Sequence, residues 1–135
     1  MCDSMDTPNL PSGAALAFLG DAVFSLHVRS ALVSMGISHS KRLNVLTQNY
    51  VTSTAQAQFF SEIQELLTEE ERGIYRRAAN STHLQKPKNT TAAVYRSATG
   101  LEALLGALYC SGQHDRLNFL LSKLNIEVDN NDKED

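Results

Sequence analysis

Two acids stand out because each is alone in an apolar helical run. Asp21 lies in Leu16-Ala17-Phe18-Leu19-Gly20-Asp21-Ala22-Val23-Phe24, and Glu102 in Ala98-Thr99-Gly100-Leu101-Glu102-Ala103-Leu104-Leu105-Gly106-Ala107-Leu108, with no basic residue in either run. An unpaired carboxylate buried among such neighbours either loses its charge or finds a compensating cation. Two of them, on two helices, can meet at one divalent ion. A small all-oxygen donor set with room for waters and phosphate oxygens suits Mg²⁺ better than zinc. A Mg²⁺ held there would polarise a phosphoryl group and activate water, which is the chemistry of phosphodiester hydrolysis. Two other readings stay open: each acid reaches solvent from the edge of its helix's apolar face, or each is neutralised by a basic residue such as Arg29 or Arg96.

A second group of residues suits a phosphate backbone. The net charge of −3 argues against a polyanionic partner, but residues 7 to 124 hold eleven Lys/Arg against eight Asp/Glu, and the two ends hold the other seven acids with only Lys133. Arg72, Arg76, Arg77, Lys86, Lys88 and Arg96 fall in one short section with His83. Such a cluster supplies affinity for nucleic-acid phosphates without reading sequence. An Arg-bearing helix is equally often a solvated face.

The elements that must position these side chains are all helical. Ser12 caps a helix over about 13–35, and Gly36 suits its C-terminal turn. Gly20 inside it implies a close approach to the backbone beside Asp21. A second helix starts near Lys41 under Ser38 or Ser40, weakens at 49–53, and resumes through Phe59, Phe60 and Ile63. Thr68-Glu69-Glu70-Glu71 fits a capping box for a helix over 69–80. Residues 81–90 form a polar, basic loop with Pro87. A long helix runs from Thr90 or Thr91 to Ser111-Gly112, and a short one over 114–124. No alternating stretch indicates a sheet, so the expected fold class is all-α. Three parts are expected: a flexible leader over 1–11, a folded unit over 12–124 and an acidic flexible tail over 125–135.

The 135 residues, 42% hydrophobic and 20% charged, suit one globular domain. Asp21, His27 and Arg29 interrupt the first apolar run, so no membrane span is expected, and the N-terminus has no signal-like pattern. The cytoplasm is the expected location. Cys2 and Cys110 read as free thiols, because no Cys/His cluster has metal spacing. The apolar faces of helices 13–35 and 91–111 exceed one small core, and Gly20 and Ala22 would admit a twofold-related helix, so a dimer is expected.

The segment Leu16 to Phe24 resembles the signature of ribonuclease III catalytic domains, and Leu101-Glu102-Ala103-Leu104-Leu105-Gly106-Ala107 resembles their second acidic segment. Thr54-Ala55-Gln56-Ala57, Pro87-Lys88-Asn89-Thr90 and Tyr95-Arg96, with no double-stranded-RNA-binding domain after residue 124, resemble Mini-ribonuclease III. The likeness covers residues 12–124. It implies an all-helical endonuclease, a homodimer with two sites facing one cleft, and Mg²⁺-dependent cleavage of double-stranded RNA leaving 5′-phosphates. It also implies a role in maturation of the large-subunit ribosomal RNA precursor. By position Asp21 is the catalytic acid and a metal ligand, and Glu102 the second ligand. Ribonuclease III enzymes carry glutamates where this chain has Ala14 and Ala17 and an aspartate where it has Thr99; Mini-ribonuclease III resembles this chain in lacking them. RNA affinity would then fall on Arg72, Arg76, Arg77, Lys86, Lys88, Asn89 and Arg96, aided by a ribosomal protein that presents the substrate. The alternative class is a catalytically silent helical module that binds RNA or the ribosome through the same surface.

Overall fold

The computed structural model describes residues 10–81 and 89–129. The described residues form α1 (Gly13–Ser34), α2 (Ser40–Val51), α3 (Ser53–Ile63), α4 (Glu69–Asn80), α5 (Ala92–Cys110) and α6 (His114–Leu121), with a 3₁₀ turn at Gln64–Leu66 and no strand. The all-α expectation holds, and each boundary has a local cause. The Ser12 hydroxyl accepts the Ala15 amide at 3.2 Å, and Gly36, at φ 94°, turns the chain after α1. Thr68 and Glu71 form the expected capping box: the Glu71 amide donates to the Thr68 hydroxyl at 3.2 Å, and the Thr68 amide to the Glu71 carboxylate at 2.8 Å. At α2 the cap differs, being His39 with no side-chain capping bond. The weak spot after Asn49 is a break at Thr52, whose hydroxyl caps α3 by accepting from the Ala55 amide at 3.1 Å. That break redirects the chain so that α3 lies on α5.

Helix α5 is the hub, packing on α1, α3, α4 and α6. Every residue from Ala98 to Leu108 is buried except Glu102, which is half-buried. This is why the run is apolar on all sides instead of one. Around it Phe24, Val28 and Leu32 of α1, Phe59 and Ile63 of α3 and Leu117, Leu120 and Leu121 of α6 close the main core. Each such side chain contributes about 1.5–3 kcal/mol by leaving water. A smaller cluster of Leu16, Ala17, Ile74, Ala78, Ala103 and Ala107 joins α1, α4 and α5. Arg116 of α6 clamps the start of α4. Its guanidinium donates to the buried Glu71 carboxylate at 2.9 Å and to the Leu66 carbonyl at 2.6 Å.

Three expectations change. Helix α1, at 22 residues with mean hydropathy 1.4 in its most apolar window, is long and apolar enough to cross a membrane by length and composition, despite its charges. Packing against α5 takes up one side of that apolarity, through Leu16, Phe24, Val28 and Leu32, while Phe18, Leu26 and Val33 stay exposed. The chain does not leave the body at Asn125: Ile126 and Val128 pack on the main core, and the Tyr50 hydroxyl donates to the Glu127 carbonyl at 3.0 Å while accepting its amide at 3.2 Å. Cys110 is disulfide-bonded, not a free thiol.

Candidate active site

The two acids meet because two glycines let their helices touch. A Cβ on Gly20 would fall on the Glu102 carbonyl oxygen, and one on Gly106 would fall on the Leu16 carbonyl oxygen. Helices α1 and α5 thus cross backbone to backbone, with Asp21 immediately after the contact residue on one side and Glu102 itself on the other. The close approach expected at Gly20 is made by α5 of the same chain. That corrects the expectation that Gly20 admits a helix from a second copy, since its position is fully occupied.

The environments of the two carboxyls differ. Asp21 is exposed, so the apolar run around it does not bury it; Glu102 is half-buried and carries the desolvation. Burial pushes the Glu102 carboxyl up, the hydrogen bond and charge of Asp21 push it further, to about 8, and the Gln56 amide pulls weakly the other way. Gln56 Nε2 donates to Glu102 Oε2 at 3.4 Å. Among the described residues neither acid is in a salt bridge. Arg29, one candidate neutraliser, instead donates to the Ser25 hydroxyl at 3.3 Å, and Arg96 is exposed. An uncompensated carboxyl pair open to solvent on the Asp21 side fits a divalent cation, whose charge would offset the burial and the neighbouring acid that raise Glu102. The donors are oxygens only, and no group of three or more His, Cys, Asp or Glu suited to a metal occurs among the described residues. Waters and substrate oxygens would complete the shell of a hard ion such as Mg²⁺.

Residues 14–113 match the Ribonuclease III domain family. The chain belongs to the ribonuclease III family. Within it the resemblance is to Mini-ribonuclease 3 proteins. That of Thermoanaerobacter sp. (strain X514) is 42% identical over 117 residues, covering 87% of this chain and 82% of the relative. That of Streptococcus pneumoniae (strain ATCC BAA-255 / R6) is 38% identical over 116 residues, covering 84% and 91%. A crystal structure of a Fusobacterium nucleatum protein superposes with a TM-score of 0.76 at 32% identity, covering 82% of this chain and 90% of that one. The chain is therefore a Mini-ribonuclease 3-type endoribonuclease, with the helical nuclease fold of the ribonuclease III family.

The three positions where ribonuclease III enzymes carry acids and this chain does not lie in different surroundings. Ala17 is buried in the small cluster, and Ala14 is exposed on α1. Thr99 is buried and its hydroxyl donates to the Tyr95 carbonyl at 2.9 Å, so its proton is committed within α5. The basic residues do not form one uniform surface. Arg72 is paired with Glu69 at 3.3 Å and donates to the Gln64 carbonyl at 3.3 Å. Arg76 and Arg77 are exposed and border a cavity of about 620 Å³ with Leu10, Pro11 and Gly13 at the start of α1. Asn89 and Arg96 are exposed, while His83, Lys86 and Lys88 lie outside the described residues. His114 stacks edge-on to Tyr109 at 5.4 Å. In the sequence Gln56 stands out only within the family-like segment Thr54-Ala55-Gln56-Ala57; its contact with Glu102 spans 46 residues and leaves no local signal.

Proposed function

We propose that this endoribonuclease cleaves double-stranded RNA using Mg²⁺ held by Asp21 and Glu102. The observation that carries the reading is the contact between these two carboxyls, which no cation among the described residues neutralises. When bound, Mg²⁺ would polarise the scissile phosphoryl group and lower the pKa of a coordinated water. Asp21, exposed, would hold the ion from the open side of the pair. Glu102, half-buried, would give up its proton to solvent on binding and complete the protein's share of the donors. Arg76, Arg77, Asn89 and Arg96, with Lys86 and Lys88, are the proposed contacts to the RNA backbone; Arg72 is the weakest of the set, because Glu69 already holds it. Shape and 2′-hydroxyl contacts would distinguish the duplex.

Homodimerisation belongs to the same reading. Phe18, Leu26 and Val33 are 85%, 66% and 59% exposed along α1, with Ala22 between the first two. This apolar stripe adjoins Asp21, and a second copy covering it would bring two sites to one cleft. The proposed catalytic unit begins at residue 12 and extends past 124 to include Ile126 and Val128, which pack on the main core. The proposed setting is maturation of the large-subunit ribosomal RNA precursor in the cytoplasm, with a ribosomal protein presenting the substrate.

The test is incubation with an end-labelled RNA duplex and its single strands in Mg²⁺, beside EDTA and Asp21→Asn controls. Duplex-specific cleavage to 5′-phosphate ends, lost in both controls, is expected. Cleavage by a folded Asp21→Asn protein would remove Asp21 from the mechanism, and duplex binding without product under all conditions would favour the silent RNA-binding module.

A further inference from the structure

The residue that holds Glu102 from behind is Gln56, and its chemistry is informative. It is only 2% exposed, in the first turn of α3. Its own amide N–H donates to the Thr52 carbonyl at 2.9 Å, so the helix fixes its backbone, and its side-chain Nε2 donates to Glu102 Oε2 at 3.4 Å. No buried side-chain nitrogen or oxygen among the described residues lacks a partner. A buried amide is costly without one, so its place beside a carboxylate calls for a reason. A lysine or arginine there would neutralise Glu102 and take the place of a divalent ion. An apolar side chain would leave the broad terminal torsion of the glutamate unrestrained. The glutamine does neither: it occupies one carboxylate oxygen and adds no charge.

We infer that Gln56 is a positioning residue for cation binding: by engaging Glu102 Oε2 it sets the carboxylate's orientation and leaves the second oxygen, with Asp21, to the ion. The inference rests on the reading of Asp21 and Glu102 as the cation ligands. Partners that orient ligating carboxylates are worth about 10–100-fold in metal affinity.

The test is calorimetric titration of Mn²⁺ into the RNA-free protein, comparing wild type with Gln56→Met, which has similar bulk and no donor, and Gln56→Asn, which keeps a buried amide but withdraws it by one methylene. Both variants are expected to bind Mn²⁺ at least about tenfold more weakly. The Mg²⁺ concentration that half-saturates cleavage should rise by the same factor, with the rate at saturating Mg²⁺ returning to within a few-fold of wild type. A purely structural glutamine would instead lower the melting temperature or the saturated rate and leave cation affinity unchanged; that result in either folded variant overturns the inference. If Gln56→Met does not fold, Gln56→Asn decides. If wild type itself binds no Mn²⁺, the reading of the two ligands fails and the inference with it, whereas equal binding by wild type and variants defeats the inference alone.

Discussion

Replacing Glu102 by glutamine should stabilise the metal-free protein at alkaline pH while abolishing its activity. Glu102 is raised from the ordinary glutamate range to about 8 in the folded chain, first by burial and then by Asp21. A group raised on folding contributes stability that is complete below its unfolded pKa, near 4.5, and lost as pH rises through about 8. Each tenfold displacement of the proton equilibrium corresponds to about 1.4 kcal/mol, which sets a ceiling of roughly 5 kcal/mol on the penalty above pH 8. The opening to solvent at Asp21 reduces that to about 1–3 kcal/mol. Glutamine keeps the shape, cannot ionise, and can donate to Asp21. In EDTA at pH 9, Glu102→Gln should therefore melt about 3–12 °C above wild type, and at pH 5 the two should coincide. Adding Mg²⁺ at pH 8 should raise the melting temperature of wild type and leave the variant unmoved. Differential scanning calorimetry across pH 5–9 provides the assay. A variant that melts with or below wild type at pH 9 without metal would refute the picture of two acids held in repulsive contact.

The helix crossing and the Arg116 clamp give two further expectations. Gly20→Ala should lower stability by about 3 kcal/mol in urea titration, because its Cβ lands on a main-chain oxygen that only separation of α1 and α5 can clear. The same separation should weaken cation binding; normal stability would mean the helices do not meet this closely. Arg116→Ala should cost about 2–4 kcal/mol at pH 7 by leaving Glu71 buried without its partner. Burial alone pushes the Glu71 carboxyl up, but the bonds from Arg116 and Thr68 hold it below the ordinary range. Its stabilisation is therefore present above about pH 4.5 and lost as pH falls through that lowered value, so the gap between wild type and Arg116→Ala should close on acidification. A gap that persists unchanged at pH 3 would mean that packing of the arginine stem, not its charge, makes the difference.

The helices were legible in the sequence because their signals are local: the Ser12 cap, the Thr68–Glu71 box and Gly36 each act within a turn. The two acids were legible for a related reason. A lone carboxylate inside an apolar run breaks the local pattern, and such conflicts concentrate at functional sites. What the pattern could not distinguish was which apolar residues of α1 face the core. Leu16, Phe24, Val28 and Leu32 do, while Phe18, Leu26 and Val33 face outward, and Asp21 stands on the open side. Periodicity is blunt on a helix that is apolar almost all round. Gln56 and Arg116 were not visible as partners of Glu102 and Glu71, because those contacts join residues 46 and 45 positions apart and exist only once α3 and α6 have docked.

The most direct test of the account is the X-ray structure of the protein soaked in Mn²⁺. The account predicts an anomalous peak within bonding distance, about 2.0–2.3 Å, of carboxylate oxygens from both Asp21 and Glu102, and no such peak in an Asp21→Asn crystal. A fully occupied Mn²⁺ site elsewhere, with no peak at this carboxyl pair, would contradict it.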